Sequence, residues 1–177
     1  MPDVCTVRPM EEADLAMVLA WRNHPDVYRY MITQHQISEQ EHKEWYSRAI
    51  MTPSRHLLIV QEAAQPLGYV QFSSATIGGV AEWGFYSSPG APKGSGRKIG
   101  TAALNYAFSE LQLHKVCGQA LAFNERSIAF HQRLGFVQEG VLRDQHRIKG
   151  IYHNLICFGL LKTEWARSET MRNEKHA

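Results

Sequence analysis

The chain has 177 residues, enough for one compact domain and too few for a second of ordinary size. Lys and Arg (19) nearly balance Asp and Glu (17), so composition gives no charge argument for a nucleic-acid or membrane partner. A 44% apolar content allows a core, yet no uninterrupted apolar run approaches the roughly 18 residues of a membrane span. Cys5, Cys117 and Cys157 are an odd, unclustered set, and Met1-Pro2-Asp3-Val4 lacks the basic-then-apolar character of a secretory leader. No disulfide framework or zinc site is expected, and a cytoplasmic location is.

In chain order, residues 4–9 read as a strand. Residues 11–22 carry Leu15, Val18, Leu19 and Arg22 at helical spacing, and Pro25 stops that helix. Ser38-Glu39-Gln40-Glu41 is a capping box opening a second helix that runs to about Met51. Residues 55–62, 67–75 and 80–87 then form an antiparallel meander, with turns at Gln65-Pro66 and Gly78-Gly79. A long helix with Leu104, Ala107, Phe108 and Leu111 on one face follows the glycine-rich stretch. Residues 115–121 form a strand, and residues 124–134 a helix with Asn124 as N-cap and Gly135 as stop. Residues 136–142 and 151–161 make a last strand pair around a basic loop. The order β-α-α-β-β-β-α-β-α-β-β is an α+β layout with one mixed sheet. A single domain is expected over residues 1–167, with a polar, disordered tail over residues 168–177.

Two stretches carry chemistry. In the first, Lys93-Gly94-Ser95-Gly96-Arg97-Lys98-Ile99-Gly100-Thr101 feeds straight into a helix. Glycines let a ligand approach the backbone, and the unpaired amides of a helix start suit a pyrophosphate. Lys93, Arg97 and Lys98 add positive charge; the plainer reading is a glycine-rich turn with solvated cations. It is not a dinucleotide fingerprint, because no acidic residue ends a following parallel strand. In the second stretch, Asn124, Ile128 and His131 fall on one helical face before Gly135-Phe136, and His131 alone reads as an ordinary partly buried histidine.

Taken together, a glycine-rich basic loop opening a helix, a strand, and Asn-x-x-Ser-x-x-x-His-x-x-x-Gly-Phe resemble the GNAT acetyltransferase superfamily. The resemblance spans about residues 4–165. It implies a GNAT-type single domain whose central mixed sheet is flanked by helices and splayed between two strands, opened by a bulge in the strand before the loop. It also implies acetyl-CoA as co-substrate and no metal. The pantetheine arm would lie between residues 82–87 and 115–121, against backbone groups of Phe85 and Tyr86. Residues 94–101 would hold the pyrophosphate, with Asn124 and Ser127 near the arm. Two departures stand out: Lys98 falls where the family has its first glycine, and Ser95 where it has Gln or Arg. The loop could also be read as Arg97-x-x-Gly100-x-Ala102. His131 occupies the place of a tyrosine that protonates the departing thiolate, a role an imidazole near neutrality could fill. Glu82 is the candidate base, directly or through water; the alternative is a plain exposed strand carboxylate.

Within that superfamily, Trp21-Arg22-Asn23-His24-Pro25-Asp26-Val27-Tyr28-Arg29-Tyr30-Met31 and the ending Gly150-Ile151-Tyr152-His153-Asn154 resemble the N-acetyltransferases of pseudaminic acid biosynthesis. The resemblance implies a UDP-linked 4-amino-4,6-dideoxy sugar as acceptor. Arg22, Asn23, His24 and Arg29 would meet its diphosphate end, with Arg143, His146, Arg147 and Lys149 as further cations, and Tyr28, Tyr30 and Trp45 would stack on it. The plainer reading is that Arg22 is a helix C-terminal charge and that the loop cations are merely solvated. The Arg-Asn-x-Pro segment is shared with acetyltransferases of ribosomal-protein N-termini and of aminoglycosides, so a protein N-terminus or another small amine is the alternative acceptor. A third reading is a non-catalytic CoA-binding module. Neither nucleic acid nor membrane is expected as partner, and a homodimer is the candidate assembly.

Overall fold

The structure is a computed structural model that describes residues 5–174. Among these residues, β1 (Thr6–Pro9), β2 (His56–Glu62), β3 (Gln65–Ser73), β4 (Val80–Ser87), β5 (Lys115–Leu121), β6 (Val137–Ile148) and β7 (Ile151–Leu161) form one sheet. Its order is β1-β2-β3-β4-β5-β7-β6, and every pairing is antiparallel except β4 with β5. Helices α1 (Leu15–Asn23), α2 (Pro25–Tyr28) and α3 (Glu39–Ile50) belong to one side of it. On the other lie α4 (Ser95–Ser109), α5 (Glu125–Leu134) and α6 (Lys162–Glu174).

The run Leu57-Leu58-Ile59-Val60 shows why both sheet faces are covered. Side chains alternate along a strand, so Leu58 and Val60 join the core under α4 while Leu57 and Ile59 join the one under α1 and α3. Ile99, Ala103, Leu104 and Ala107 fill the first core from α4, each no more than 1% exposed. The fold is the α+β, single-sheet arrangement expected from the sequence.

Several local features match the expected elements. Ser38 caps α3 by accepting from the Glu41 amide at 3.2 Å. Asn124 caps α5 by accepting from the Ser127 amide at 3.1 Å, and Gly135 ends that helix at φ +96°. Others differ. The expected strand start at Val4 lies outside the described residues. The first helix begins only at Leu15, after a 3-10 turn over Glu12–Asp14. There Arg8 grips both Asp14 oxygens at 2.7 and 2.8 Å, and the Asp14 carboxylate also accepts from the Glu11 amide. Pro25 follows the end of α1 but also opens α2, at a first-turn position where its missing N–H costs nothing.

The expected basic loop is strand. β6 continues through Arg143, His146 and Arg147 to Ile148, absorbing register shifts at Gln138/Gly140 and Leu142/His146, with the Asp144 amide held by Asn154 Oδ1 at 2.9 Å. The expected disordered tail is helical as far as Glu174. Glu164 caps α6 by accepting from the Leu161 amide, and Trp165 anchors it, 4% exposed, donating to Asn105 Oδ1 at 2.8 Å.

Candidate functional site

β4 and β5 pair at Val80–Lys115, Ala81–Val116 and Glu82–Cys117, and then part. Beyond that vertex the edges of residues 83–87 and 118–121 that face each other carry no strand pairing. Unpaired strand edges need hydrogen-bonding partners, so the V between them is a slot for an amide-bearing ligand. The sheet is splayed where expected, but not by the expected means. From Ser73–Glu82 to Gly68–Ser87, β4 pairs one-to-one with β3, without a bulge.

The glycine-rich loop ends at the mouth of this slot. Gly94 is the α4 N-cap at φ +94°, a conformation that favours glycine. The helix starts at Ser95, so the amides without an i−4 helical carbonyl belong to its first turn. Ser95 and Arg97 donate to Pro92 O and Gly94 O in local turns. Lys93 and Arg97 are exposed, whereas the Lys98 ammonium contacts the Glu62 carboxylate at 2.5 Å. Three of the expected phosphate-binding residues are placed otherwise. Ile99, Gly100 and Thr101 lie past the first turn, where helix amides bond back to carbonyls. Ile99 is 1% exposed in the core, and a Cβ on Gly100 would sit 2.6 Å from Leu134 Cδ1 and 2.9 Å from Phe130 Cζ. Gly100 is thus a close contact between α4 and α5 that leaves no room for a side chain.

Of the two β4 residues expected beside the arm, Phe85 turns its ring to the α5 side, 4.7 Å from Phe130. Tyr86 turns to the other side, 5.0 Å from Tyr69, and burial pushes its phenol well above the usual tyrosine range despite the nearby Arg22. Their side chains are structural, and only their backbone edge faces the slot. Asn124 spends its carbonyl oxygen on the α5 cap, and Ser127 supplies the capped amide.

His131 is fully buried among aromatic rings. It lies flat against Phe158 (4.7 Å, 5°) and edge-on to Phe136 (5.0 Å). Its Nδ1 is 2.8 Å from Ser127 O and its Nε2 accepts from Trp83 Nε1 at 3.1 Å, which fixes a neutral ring protonated at Nδ1. Burial strips its hydration and pulls its pKa to about 4. The ring's one proton is committed to a backbone carbonyl, so the geometry does not fit the proton donor expected at this position. Glu82, by contrast, is exposed, at the last strand pair before the slot. Strand alternation puts it on the same face as Gly84 and Tyr86, the side occupied by α1 and α3.

The residues expected to bind the acceptor separate into two kinds. Asn23 brackets Ile37, donating to its carbonyl at 2.8 Å and accepting from its amide at 2.9 Å, so it holds the 31–37 segment in place. His24 caps α2 through the Asp26 amide. Arg29 is paired with Asp26 and donates to Pro25 O. Trp45 packs on His42 (5.1 Å) and Tyr69 (6.2 Å) in the core. These four are absorbed into local structure. Arg22 and Tyr30 are not. Tyr30 stacks 6.3 Å from Phe123, which in turn meets His153 edge-on at 4.8 Å, linking the 24–37 segment to the end of β5. Arg22 donates through Nη2 to Thr33 O at 3.3 Å, while its Nη1 is buried without a partner. Burial depresses its pKa. Trp83, Gly118 and Phe123 were not marked by the sequence reading; the alternation that places Glu82 outward would have placed Trp83 inward.

No group of three or more His, Cys, Asp or Glu residues that could hold a metal occurs among the described residues, and none of their helices is long and apolar enough to cross a membrane. The acetyltransferase (GNAT) domain family model matches residues 5–137. Spermidine N(1)-acetyltransferase of Vibrio cholerae is 27% identical over 93% of this chain and 97% of its own length. Acetyltransferase PseH of Campylobacter jejuni is 24% identical over 72% of this chain and 79% of its own. The crystal structure of spermidine N-acetyltransferase from Vibrio cholerae in complex with CoA and spermine superposes with a TM-score of 0.83 at 25% identity, covering 92% of this chain and 98% of that one.

Proposed function

This chain belongs to the GNAT acetyltransferase family and carries acetyl from acetyl-CoA to an amine; from that premise we propose that the acceptor is a UDP-linked 4-amino-4,6-dideoxy sugar. The observation that carries this choice is Arg22. A half-buried guanidinium whose buried Nη1 has no partner, on the acceptor side, calls for a ligand oxygen and disfavours a polycation beside it. Two carboxylates of this half that could offset a polycation are already engaged, Glu41 with His35 at 3.0 Å and Asp26 with Arg29, which leaves Glu82, the candidate base. A nucleotide sugar supplies both oxygen and negative charge.

In the proposed reaction the acceptor nitrogen attacks the thioester carbonyl. The C–N bond forms, the C–S bond breaks, and the electron pair leaves on the CoA sulfur. Glu82, at the vertex and facing α1 and α3, takes the amine proton directly or through one water. The thiolate takes its proton from solvent, since His131 has none to give.

The second reading is a polyamine acceptor, favoured by the spermidine acetyltransferase likeness, which covers more of the chain than the PseH likeness does. Thiol release from acetyl-CoA decides between them, measured with a UDP-4-amino-4,6-dideoxy sugar, spermidine, a free N-terminal peptide and an aminoglycoside. Highest kcat/KM with the UDP sugar is the expected result. Preference for spermidine would overturn the sugar assignment and leave the acetyl transfer standing.

A further inference from the structure

The splay of β4 from β5 has no bulge behind it, so something else must hold the strands apart. At the vertex the first residues past the last strand pair are Trp83 on β4 and Gly118 on β5. On the α5 side the Trp83 indole reaches His131, and the hydrogen bond between them lies directly over Gly118. A Cβ at position 118 would overlap His131 Nε2 and stand 2.7 Å from Trp83 Nε1. Phe158, the β7 partner of Gly118, backs the imidazole from below, and Phe136 stacks on the indole at 5.1 Å. The imidazole in turn hangs from the Ser127 carbonyl, whose own amide is held by Asn124.

We infer that the Trp83–His131 hydrogen bond over Gly118 is a strut that sets the width of the closed end of the acetyl-CoA slot, and that His131 is a positioning residue. Three features support this. The strut ties β4 to α5 rather than to β5, so it fixes β4 at the point where strand pairing no longer does. Both polar ends are buried, so neither can exchange its partner for water without opening the core. The glycine needed beneath it stands on β5 at the first unpaired position. The inference rests on acetyl-CoA as co-substrate; it does not depend on which amine is acetylated.

The test is a double-mutant cycle with kcat and the acetyl-CoA KM read separately and acetyl-CoA binding followed by calorimetry. His131→Phe strands the Trp83 N–H, and Trp83→Phe strands His131 Nε2. Replacing both partners by apolar rings leaves nothing unsatisfied. Expected are a rise of about tenfold in acetyl-CoA KM for each single variant, kcat within about threefold, and recovery of most of that loss in the double variant. His131→Gln, whose amide oxygen can accept from the indole, should stay within about threefold of wild type in both parameters. A fall in kcat of about 10² or more in His131→Phe that the double variant fails to restore would assign proton transfer to His131 and overturn the strut. Should His131→Phe prove insoluble, the His131→Gln and double variants still decide the question. Wild-type protein that binds no acetyl-CoA would overturn the strut and the acetyltransferase reading together. Normal wild-type binding with no recovery in the double variant would sink the strut alone.

Discussion

The two halves of the cleft are built on different principles. The cofactor half, from the Gly94 turn through α4, β5 and α5, presents backbone: a helix start and two unpaired strand edges. The acceptor half, from α1 to α3, presents side chains, and most of its polar ones are already spent on one another. Asn23 holds Ile37, His24 caps α2 and Arg29 faces Asp26. Backbone recognition leaves a trace in glycine positions and element order. Side-chain recognition uses the same residue types as caps and ion pairs, so what marks it is a group with an unspent donor, such as Arg22 Nη1.

That contrast can be broken or sharpened by measurement. The largest expected effect is on stability against pH. His131 drops from 6.5 to about 4 on folding, so the unfolded chain binds the extra proton below 6.5. Its contribution is full above pH 6.5 and is lost as pH falls toward 4, by up to about 3 kcal/mol. In denaturation series from pH 8 to 4 the stability of wild type relative to His131→Gln should therefore fall by up to about that amount; parallel curves would mean that the imidazole titrates as a free one. Next is Glu82→Gln, expected to lower kcat by about 10² near neutrality and to leave acetyl-CoA binding intact. Unchanged kcat would hand proton removal to water. Gly118→Ala, at the junction of the two halves, should cost about 1–3 kcal/mol through overpacking, read as a lower Tm, and should weaken acetyl-CoA binding. The smallest is Arg22→Met, with an acceptor KM about tenfold higher for the UDP sugar and an acetyl-CoA KM within twofold. A shift in the acetyl-CoA KM instead would place Arg22 in the cofactor half and erase the distinction.

Much of the fold was legible because its signals are local. β5 falls on residues 115–121 as expected, and Asn124 and Gly135 bound α5 with side-chain and backbone geometries that short-range chemistry dictates. Side-chain and strand partners were not legible. The bidentate Arg8–Asp14 pair that delays α1 joins residues whose meeting no periodicity announces. β6 runs on through a basic stretch because β7 offers it a ladder, and α6 forms where Trp165 finds Asn105 on α4. In the site, the glycine-rich loop before α4 could be read from pattern, while the parting of β4 from β5 was implied by the family resemblance. His131 could not, because a helical histidine looks the same whether its ring nitrogens face solvent or a tryptophan 48 residues earlier in the chain. Only the ring contacts decide that.

The doubled register shift of β6 has a consequence outside the cleft. β6 is an outer strand of the sheet, twelve residues long, and carries the exposed apolar residues Val137, Val141 and Leu142. A flat strand of that kind would be a template on which copies of the chain could zip together. The two shifts, the left-handed Asp144 at φ +51°, and the charges of Arg143, Asp144 and Arg147 interrupt it before a continuous edge can form. The opposite margin, β1, is four residues long. Both margins are therefore poor templates for edge-to-edge pairing with another copy.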